Sequence, residues 1–367
     1  MNLRDQDLEI ARLSGSQRAA LRHVAEVIER RMTEVPNDLA IILRRAGCAR
    51  SMFEEATRSL GTHARVVLHF HPDRFGAKPI TVAEALLEDG QYRNQFETGL
   101  SSGSRTAFPG GDRDNWERAL FGGAYHAADV TAADRPKYGA LDLIRHPDGP
   151  SPRFGSCYFV LQGAVSRRTS FTFAGSELTL ASERLGTIDK MDCLMAALLT
   201  EVASGGVAQI AWPPNVAPTL GVKDLTVSEL LKHLCRDLRR PYPDPSIPVA
   251  GRALDSFIEA QVHGPIDLRH DVERLVIDPS FEKTQTGDLL KLLSRRYDFP
   301  LYSHCGFQMA VRDVPDNFRG PAMPRVAQHI AGNGILDAAI IGAAESSLHL
   351  HPEYGPTGIL VTRYYST

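Results

Sequence analysis

Phe257-Ile-Glu-Ala-Gln-Val-His-Gly264 alternates strictly, with Ile258, Ala260 and Val262 apolar and Glu259, Gln261 and His263 polar. A period of two puts the two sets on opposite faces of an extended strand. One face is dry, and the other carries three hydrogen-bonding side chains and ends at a glycine where the backbone can open. Taken alone, a half-buried strand with a solvated polar face accounts for the pattern equally well. The neighbouring stretches decide whether that face is a site.

Upstream lies a proline-rich linker, Arg240-Pro-Tyr-Pro-Asp-Pro-Ser-Ile-Pro248. Before it, the apolar spacing predicts helices over 188–203 and 226–239, separated by the loop Trp212-Pro-Pro-Asn215. Runs rich in β-branched and aromatic residues predict strands over 138–143, 155–161 and 168–173. A further strand is expected at Arg65-Val-Val-Leu-His-Phe-His71, closed by Pro72, with a helix from Val82 to Asp89 after it. The polar, glycine-rich stretch 99–114 reads as a long loop, and helical pattern resumes over 116–128. Helices are also expected over 16–32, 38–43 and 50–60, and near 285–297 and 323–332. The fold class is therefore α+β. It divides into a helical N-terminal module (1–60), a core (61–275) interrupted by a helical insertion at 188–239, and a C-terminal α/β extension (276–367).

Composition narrows the function classes. The chain has 367 residues, 43% of them hydrophobic, enough for a full-sized core. Its formal net charge of −3 leaves no global basic surface, so no nucleic-acid partner is expected. Five scattered cysteines form no Cys-x-x-Cys pair, which points to a reducing compartment and no structural zinc. No apolar run approaches the roughly 20 residues of a membrane span. The start Met-Asn-Leu-Arg-Asp-Gln-Asp-Leu-Glu is too polar for a signal peptide, so a cytoplasmic protein with no membrane partner is expected. Export by a dedicated secretion machine leaves no compositional mark, and delivery into a host cell as an effector stays open.

Three stretches bring chemistry-bearing side chains together. In Leu68-His-Phe-His-Pro-Asp-Arg74, His69 and His71 share a strand face, with Asp73 and Arg74 at the strand end. In Phe121-Gly-Gly-Ala-Tyr-His126, Gly123 lets a flat ligand approach the backbone and Tyr125 offers a ring with a hydroxyl. The strand at 257–264 supplies the carboxylate. The His-x-His pair has a near-echo in Leu348-His-Leu-His-Pro-Glu353, which makes a metal-dependent hydrolase the rival reading.

In order, the stretches at 69–74, 123–127 and 258–261 resemble the ADP-ribosyltransferase superfamily. Its polymerase branch carries a His-Gly strand, a Gly-x-Tyr motif and a glutamate-bearing strand. Here His-Phe or His-Pro replaces His-Gly. The Glu259-x-Gln261 spacing is similar to the toxin branch, although there the second position carries the essential glutamate. Arg74 and Ser170-Phe-Thr172 are similar to that branch's arginine and Ser-Thr-Ser motifs. The His-x-His-Pro-Asp-Arg, Pro-Arg-Phe-Gly-Ser and Glu-Ala-Gln-x-His-Gly stretches also resemble the bacterial effector family that mono-ADP-ribosylates ubiquitin on threonine.

The resemblance implies a split β core and a mono-ADP-ribosyltransferase using NAD as co-substrate, with no metal. Glu259 is then the catalytic carboxylate. Asp73 is its expected partner, with Asp142 the second choice. His69 or His71 would hold the adenosine-side ribose, Arg74 would meet the pyrophosphate, and Tyr125 and Tyr138 would flank the nicotinamide, with Gln261 and Gly123 also lining the site. The acceptor would be a protein, with ubiquitin the candidate. A catalytically silent NAD-binding or protein-interaction module is the remaining alternative.

Overall fold

A computed structural model of the chain describes residues 9–32, 35–76, 79–100, 106–173, 175, 184–204, 220, 222, 225–247, 257–316 and 323–348. Three helices, α1 (Gly15–Arg31), α2 (Val35–Arg45) and α3 (Arg50–His63), precede the first strand, β1 (Arg65–Phe70). Ser14 and Gln17 form a reciprocal capping box that starts α1. Helix α4 (Val82–Asp89) follows β1. Thr81 and Glu84 cap its start, and Gly90 ends it in the left-handed conformation at φ 66°. Next come α5 (Asp112–Leu120), β2 (Lys137–Asp142), β3 (Cys157–Leu161), β4 (Thr169–Phe173) and β5 (Leu185–Thr187). Helices α6 (Asp192–Ala203) and α7 (Val227–Arg236) lead to β6 (Ile258–Val262) and β7 (Val272–Ile277). The chain then forms α8 (Gln285–Tyr297), β8 (Leu301–Ser303), β9 (Gln308–Ala310), α9 (Met323–Ile330), β10 (Ile335–Asp337) and α10 (Ala338–Leu348).

Strands β1 to β8 build one sheet in the order β5-β4-β6-β2-β1-β3-β7-β8, and β9 and β10 form a separate ribbon. All pairings in the large sheet are antiparallel except β7 with β8, which the crossover through α8 makes parallel. The fold is α+β. The expected helix at 116–128 in fact begins at Asp112 and stops at Leu120, where Gly122 and Gly123, both at positive φ, turn the chain.

The register sorts side chains onto two faces. Val66, Leu68 and Phe70 of β1 lie with Leu141, Cys157, Phe159, Phe171, Phe173, Ile258, Ala260, Val262, Leu275 and Ile277. All are buried in one core together with Phe53 and Leu60 of α3, Leu86 of α4, Leu194 of α6, Leu230 of α7 and Leu290 of α8. Each large side chain among them contributes about 1.5–3 kcal/mol by leaving water, so this face is where the fold is held together.

Packing crosses the expected domain limits at several places. Helix α3 and the helices of the expected insertion line the same core as the sheet. The limit at 275/276 falls inside β7, whose pairing carries the sheet on into the expected extension. The segment before α1 is tied in through Arg168, whose guanidinium is wholly buried. Its Nε donates to Glu9 at 2.6 Å, its Nη2 to Asp271 at 3.0 Å and its Nη1 to the His263 carbonyl at 2.6 Å. Arg12 completes the cluster with an ion pair to Asp271 at 3.0 Å. Among the described residues no helix is long and apolar enough to cross a membrane.

Candidate active site

The second face of the sheet is polar over β4, β6 and β2, whereas Val67, Tyr158, Val160 and Val276 form a small apolar cluster over β1, β3 and β7. By register it carries His69 and Val67 of β1, Tyr138, Ala140 and Asp142 of β2, Tyr158 of β3, Ser170 and Thr172 of β4, and Glu259 and Gln261 of β6. Glu259 lies across from Ala140 on one side and Thr172 on the other, and Gln261 lies between Tyr138 and Ser170. Strands spaced about 4.8 Å apart put β1, with His69, roughly 10 Å from β6. The alternation read from 257–263 thus holds in three dimensions.

A chain of hydrogen bonds runs beneath this face. The Gln261 amide nitrogen donates to Glu259 Oε1 at 3.0 Å and to Thr172 Oγ1 at 3.2 Å. The Gln261 oxygen accepts from the Ser170 hydroxyl at 2.9 Å. Ser170 Oγ lies 3.1 Å from His263 Nε2, and His263 Nδ1 lies 2.5 Å from the Tyr125 hydroxyl. Ser170, Thr172, Gln261 and His263 are all fully buried, and Glu259 is 5% exposed. Burial, with Arg168 and Lys137 adding to it, pulls His263 down to about 3, so its ring is neutral at physiological pH.

Helix α5 roofs the other side. The Tyr138 hydroxyl donates to Glu117 at 2.8 Å, and the Arg113 guanidinium lies over the Tyr138 ring at 4.3 Å and over Trp116 at 5.1 Å. Burial works against the Arg113 charge, but Tyr138, Glu259 and Glu117 outweigh it and hold its pKa raised. Glu117 is itself anchored by Arg135 at 2.8 Å, and burial still leaves its carboxyl above the usual range. Arg113, Trp116 and Glu117 are spaced i, i+3 and i+4, which puts one cation, one ring and one carboxylate on a single helix face. That pattern was the available signal for these residues, and the sequence reading passed over it.

Several expected residues sit differently. Tyr125 reaches the same end of the polar face but is 1% exposed, stacks on His263 at 6.0 Å and gives its hydroxyl to it. Gly122 makes room for the His23 ring of α1, and Gly123 serves the turn at φ 76°. A side chain at Gly122 would meet that ring, whereas the side of Gly123 is open. His69 accepts the Ser151 N–H at Nε2, 3.3 Å away, so Nδ1 carries the proton and meets the Gly155 carbonyl at 2.7 Å. Both ring nitrogens hold the loop 143–156, which also takes the Tyr158 hydroxyl at the Pro147 carbonyl, 2.7 Å away.

The first strand ends at Phe70, which puts His71 in the turn after it and not on a shared strand face with His69. Burial, helped by Arg74, pulls His71 down to about 3, and Arg74 is itself buried at this end. Asp73, the expected partner of Glu259, lies beyond the end of β1. The Asp73 carboxylate lies against Gly342 of α10, where any side chain would collide with it. It also helps burial and Asp278 to raise the thiol of Cys157, a residue of the apolar face. Asp142 stays on the Glu259 face, near the opposite strand end, where it accepts the Arg145 N–H at 2.9 Å.

Among the described residues no three His, Cys, Asp or Glu side chains converge as a metal would require. The echo motif at 349–353 lies outside the described residues, as do Trp212–Asn215. Lys137, at the start of β2, gives a check on how dry this end of the sheet is. Burial lowers it from 10.5 to about 8. Between those values the unfolded chain holds a proton that the folded chain has released, so stability rises with pH across that window and carries a constant penalty below it. Denaturant titrations of Lys137→Met are therefore expected to show a stability advantage over the native chain at pH 7 that shrinks as pH approaches 10.5. A gap that does not change with pH would contradict the burial.

The chain belongs to the family described as a protein of unknown function (DUF3626), which matches residues 65–355. The match opens at the first residue of β1 and takes in β1 to β10, whereas α1 to α3 precede it. A search of curated proteins gives no match.

Proposed function

We propose that this chain is an NAD-dependent mono-ADP-ribosyltransferase that releases nicotinamide and modifies a protein acceptor, with Glu259 as the catalytic carboxylate. The observation that carries this reading is a buried carboxylate on the polar sheet face, with one oxygen accepting from Gln261 and with Thr172 and Ala140 as its strand neighbours. The Tyr138 ring, one strand over, lies under the Arg113 guanidinium.

The residues fit half of what such a co-substrate needs. A carboxylate acceptor suits ribose hydroxyls, and an aromatic ring beside a cation suits a flat, charged dinucleotide. On the other half, His69 acts on the loop it anchors, because Ser151 and Gly155 engage both its nitrogens. When bound, NAD supplies a glycosidic bond whose cleavage leaves positive charge on the ribose. A fixed carboxylate in a site this dry opposes that charge more strongly in the transition state than in the ground state. Gln261 holds Glu259 in place, and Arg113 stands where anionic groups would be drawn in.

The acceptor to which the resemblance points is ubiquitin, modified on a threonine. The test is incubation of the full chain with adenine-labelled NAD, with and without ubiquitin, reading free nicotinamide by chromatography and the acceptor by intact mass. Nicotinamide release matched by one ADP-ribose per acceptor is expected. No release with ubiquitin or with a cell extract as acceptor removes the reading, and release without ubiquitin labelling redirects only the acceptor.

A further inference from the structure

The hydrogen bonds behind Glu259 can be assigned a direction, and only one direction satisfies every atom. The Ser170 hydroxyl gives its single proton to the Gln261 oxygen, so its own oxygen has to accept from His263 Nε2. His263 therefore carries its proton on Nε2 and presents a bare Nδ1, which makes the Tyr125 hydroxyl the donor at the far end. With its oxygen facing Ser170, the Gln261 amide turns both N–H groups toward Thr172 and Glu259. Reversing any one link would leave two donors or two acceptors facing each other in a buried site, where an unmet polar group is costly.

We propose that Tyr125, His263 and Ser170 are positioning residues for the Glu259 site: a one-way relay that fixes the Gln261 amide so that it always donates to the carboxylate. An amide rotated the other way would set its oxygen against the Glu259 oxygens. The relay thus aims the carboxylate and penalises the orientation that would repel it. Its far end is walled by Phe121, whose ring meets His263 edge-on at 5.2 Å and Tyr125 at 5.4 Å. The charged groups bearing on His263 are Arg168 and Lys137, and both disfavour a second proton on the ring. Those at the Glu259 end are Arg113 and Glu117 of α5. A neutral, single-tautomer histidine is what an orientation device needs and what an acid or base catalyst does not.

This assignment adds to the transferase reading but is tested separately from it. In nitrogen-15 spectra of histidine-labelled full-length protein, the ring identified as His263 is expected to be protonated on Nε2 only and unchanged between about pH 5 and 8. That signal should be absent in His263→Gln and should become a tautomer mixture in Tyr125→Phe. A His263 ring protonated on Nδ1, or one titrating near its ordinary value of about 6.5, would overturn the relay whether or not the protein turns over NAD.

The second arm uses nicotinamide release. In Ser170→Ala and Tyr125→Phe, kcat should fall roughly 3- to 10-fold, the effect of one hydrogen bond, with KM held. Gln261→Glu should lose more while leaving the His263 spectrum in place. Native kcat in the first two variants would refute the link to Glu259. A native protein without turnover would refute the transferase reading alone, and the spectra would still decide the relay.

Discussion

Arg168→Ala is expected to lower the unfolding free energy by about 3–5 kcal/mol, the range for breaking a buried ion pair from one side. The guanidinium has no exposed surface and joins three parts of the chain: Glu9 before α1, Asp271 before β7, and the His263 carbonyl at the end of β6. Its removal leaves Asp271 and Glu9 to share Arg12, a more exposed partner, and takes the guanidinium donor from the His263 carbonyl. Arg168→Lys should recover only part of the loss, because a single ammonium cannot reproduce the planar fork that meets three acceptors at once. Urea unfolding would read both, with the m-value as a check that the denatured state is unchanged. An Arg168→Ala loss under about 1 kcal/mol would mean that the cluster holds the sheet no better than a surface ion pair would. The same cluster predicts that removing residues 1–14 destabilises the β4–β6 end of the sheet, although the family match begins only at residue 65.

Glu259→Gln is expected to reduce nicotinamide release at least about 100-fold with little change in thermal stability, comparable to deleting one preorganised electrostatic group from an active site. The replacement is chosen for its shape. The side-chain oxygen it introduces can still accept from the Gln261 amide, so the relay, the strand and the neighbours Thr172 and Ala140 stay as they are, and only the charge goes. Circular dichroism and the His263 nitrogen signals would confirm that. Near-native release in this variant would remove the carboxylate from the mechanism, and with it the proposed function. Asp73→Asn should by contrast leave release unchanged, since Asp73 lies against Gly342 of α10.

How much of this was legible in advance differs from residue to residue. The two faces of β6 followed from alternation alone, and the strand at β1 and the approximate places of β2, β3 and β4 from runs of β-branched, apolar and aromatic residues. Ser170 and Thr172 were noticed as a motif, and the register put them beside Gln261 and Glu259. Tyr125 and His263 both stood out in their own stretches, but nothing in the sequence placed the Tyr125 hydroxyl on the His263 ring, 138 residues away. The surroundings of Asp73 were not legible, because a strand-end carboxylate can turn to either side of a sheet and the direction depends on what packs there. Here α10 accepts it, from the far end of the described chain. Arg113 was missed because it falls in the stretch 99–114 that reads as a loop, and Glu117 because a helix with a mixed charged face looks the same whether it meets solvent or a site. Only the placement of α5 over Tyr138 separates the two.

By itself the amino-acid order determined what is local. It settled which residues extend, which coil, where Ser14 and Thr81 start helices, and that Glu259, Gln261 and His263 look the same way. These follow from backbone geometry and from neighbours a few positions apart. The tertiary structure alone decided which strands lie side by side, that the loop 143–156 occupies both nitrogens of His69, and that Tyr125, His263, Ser170 and Gln261 line up behind one carboxylate. Such contacts arise from burying the apolar face of the whole sheet at once, and that energy is shared among residues too far apart in the chain for any short pattern to record it.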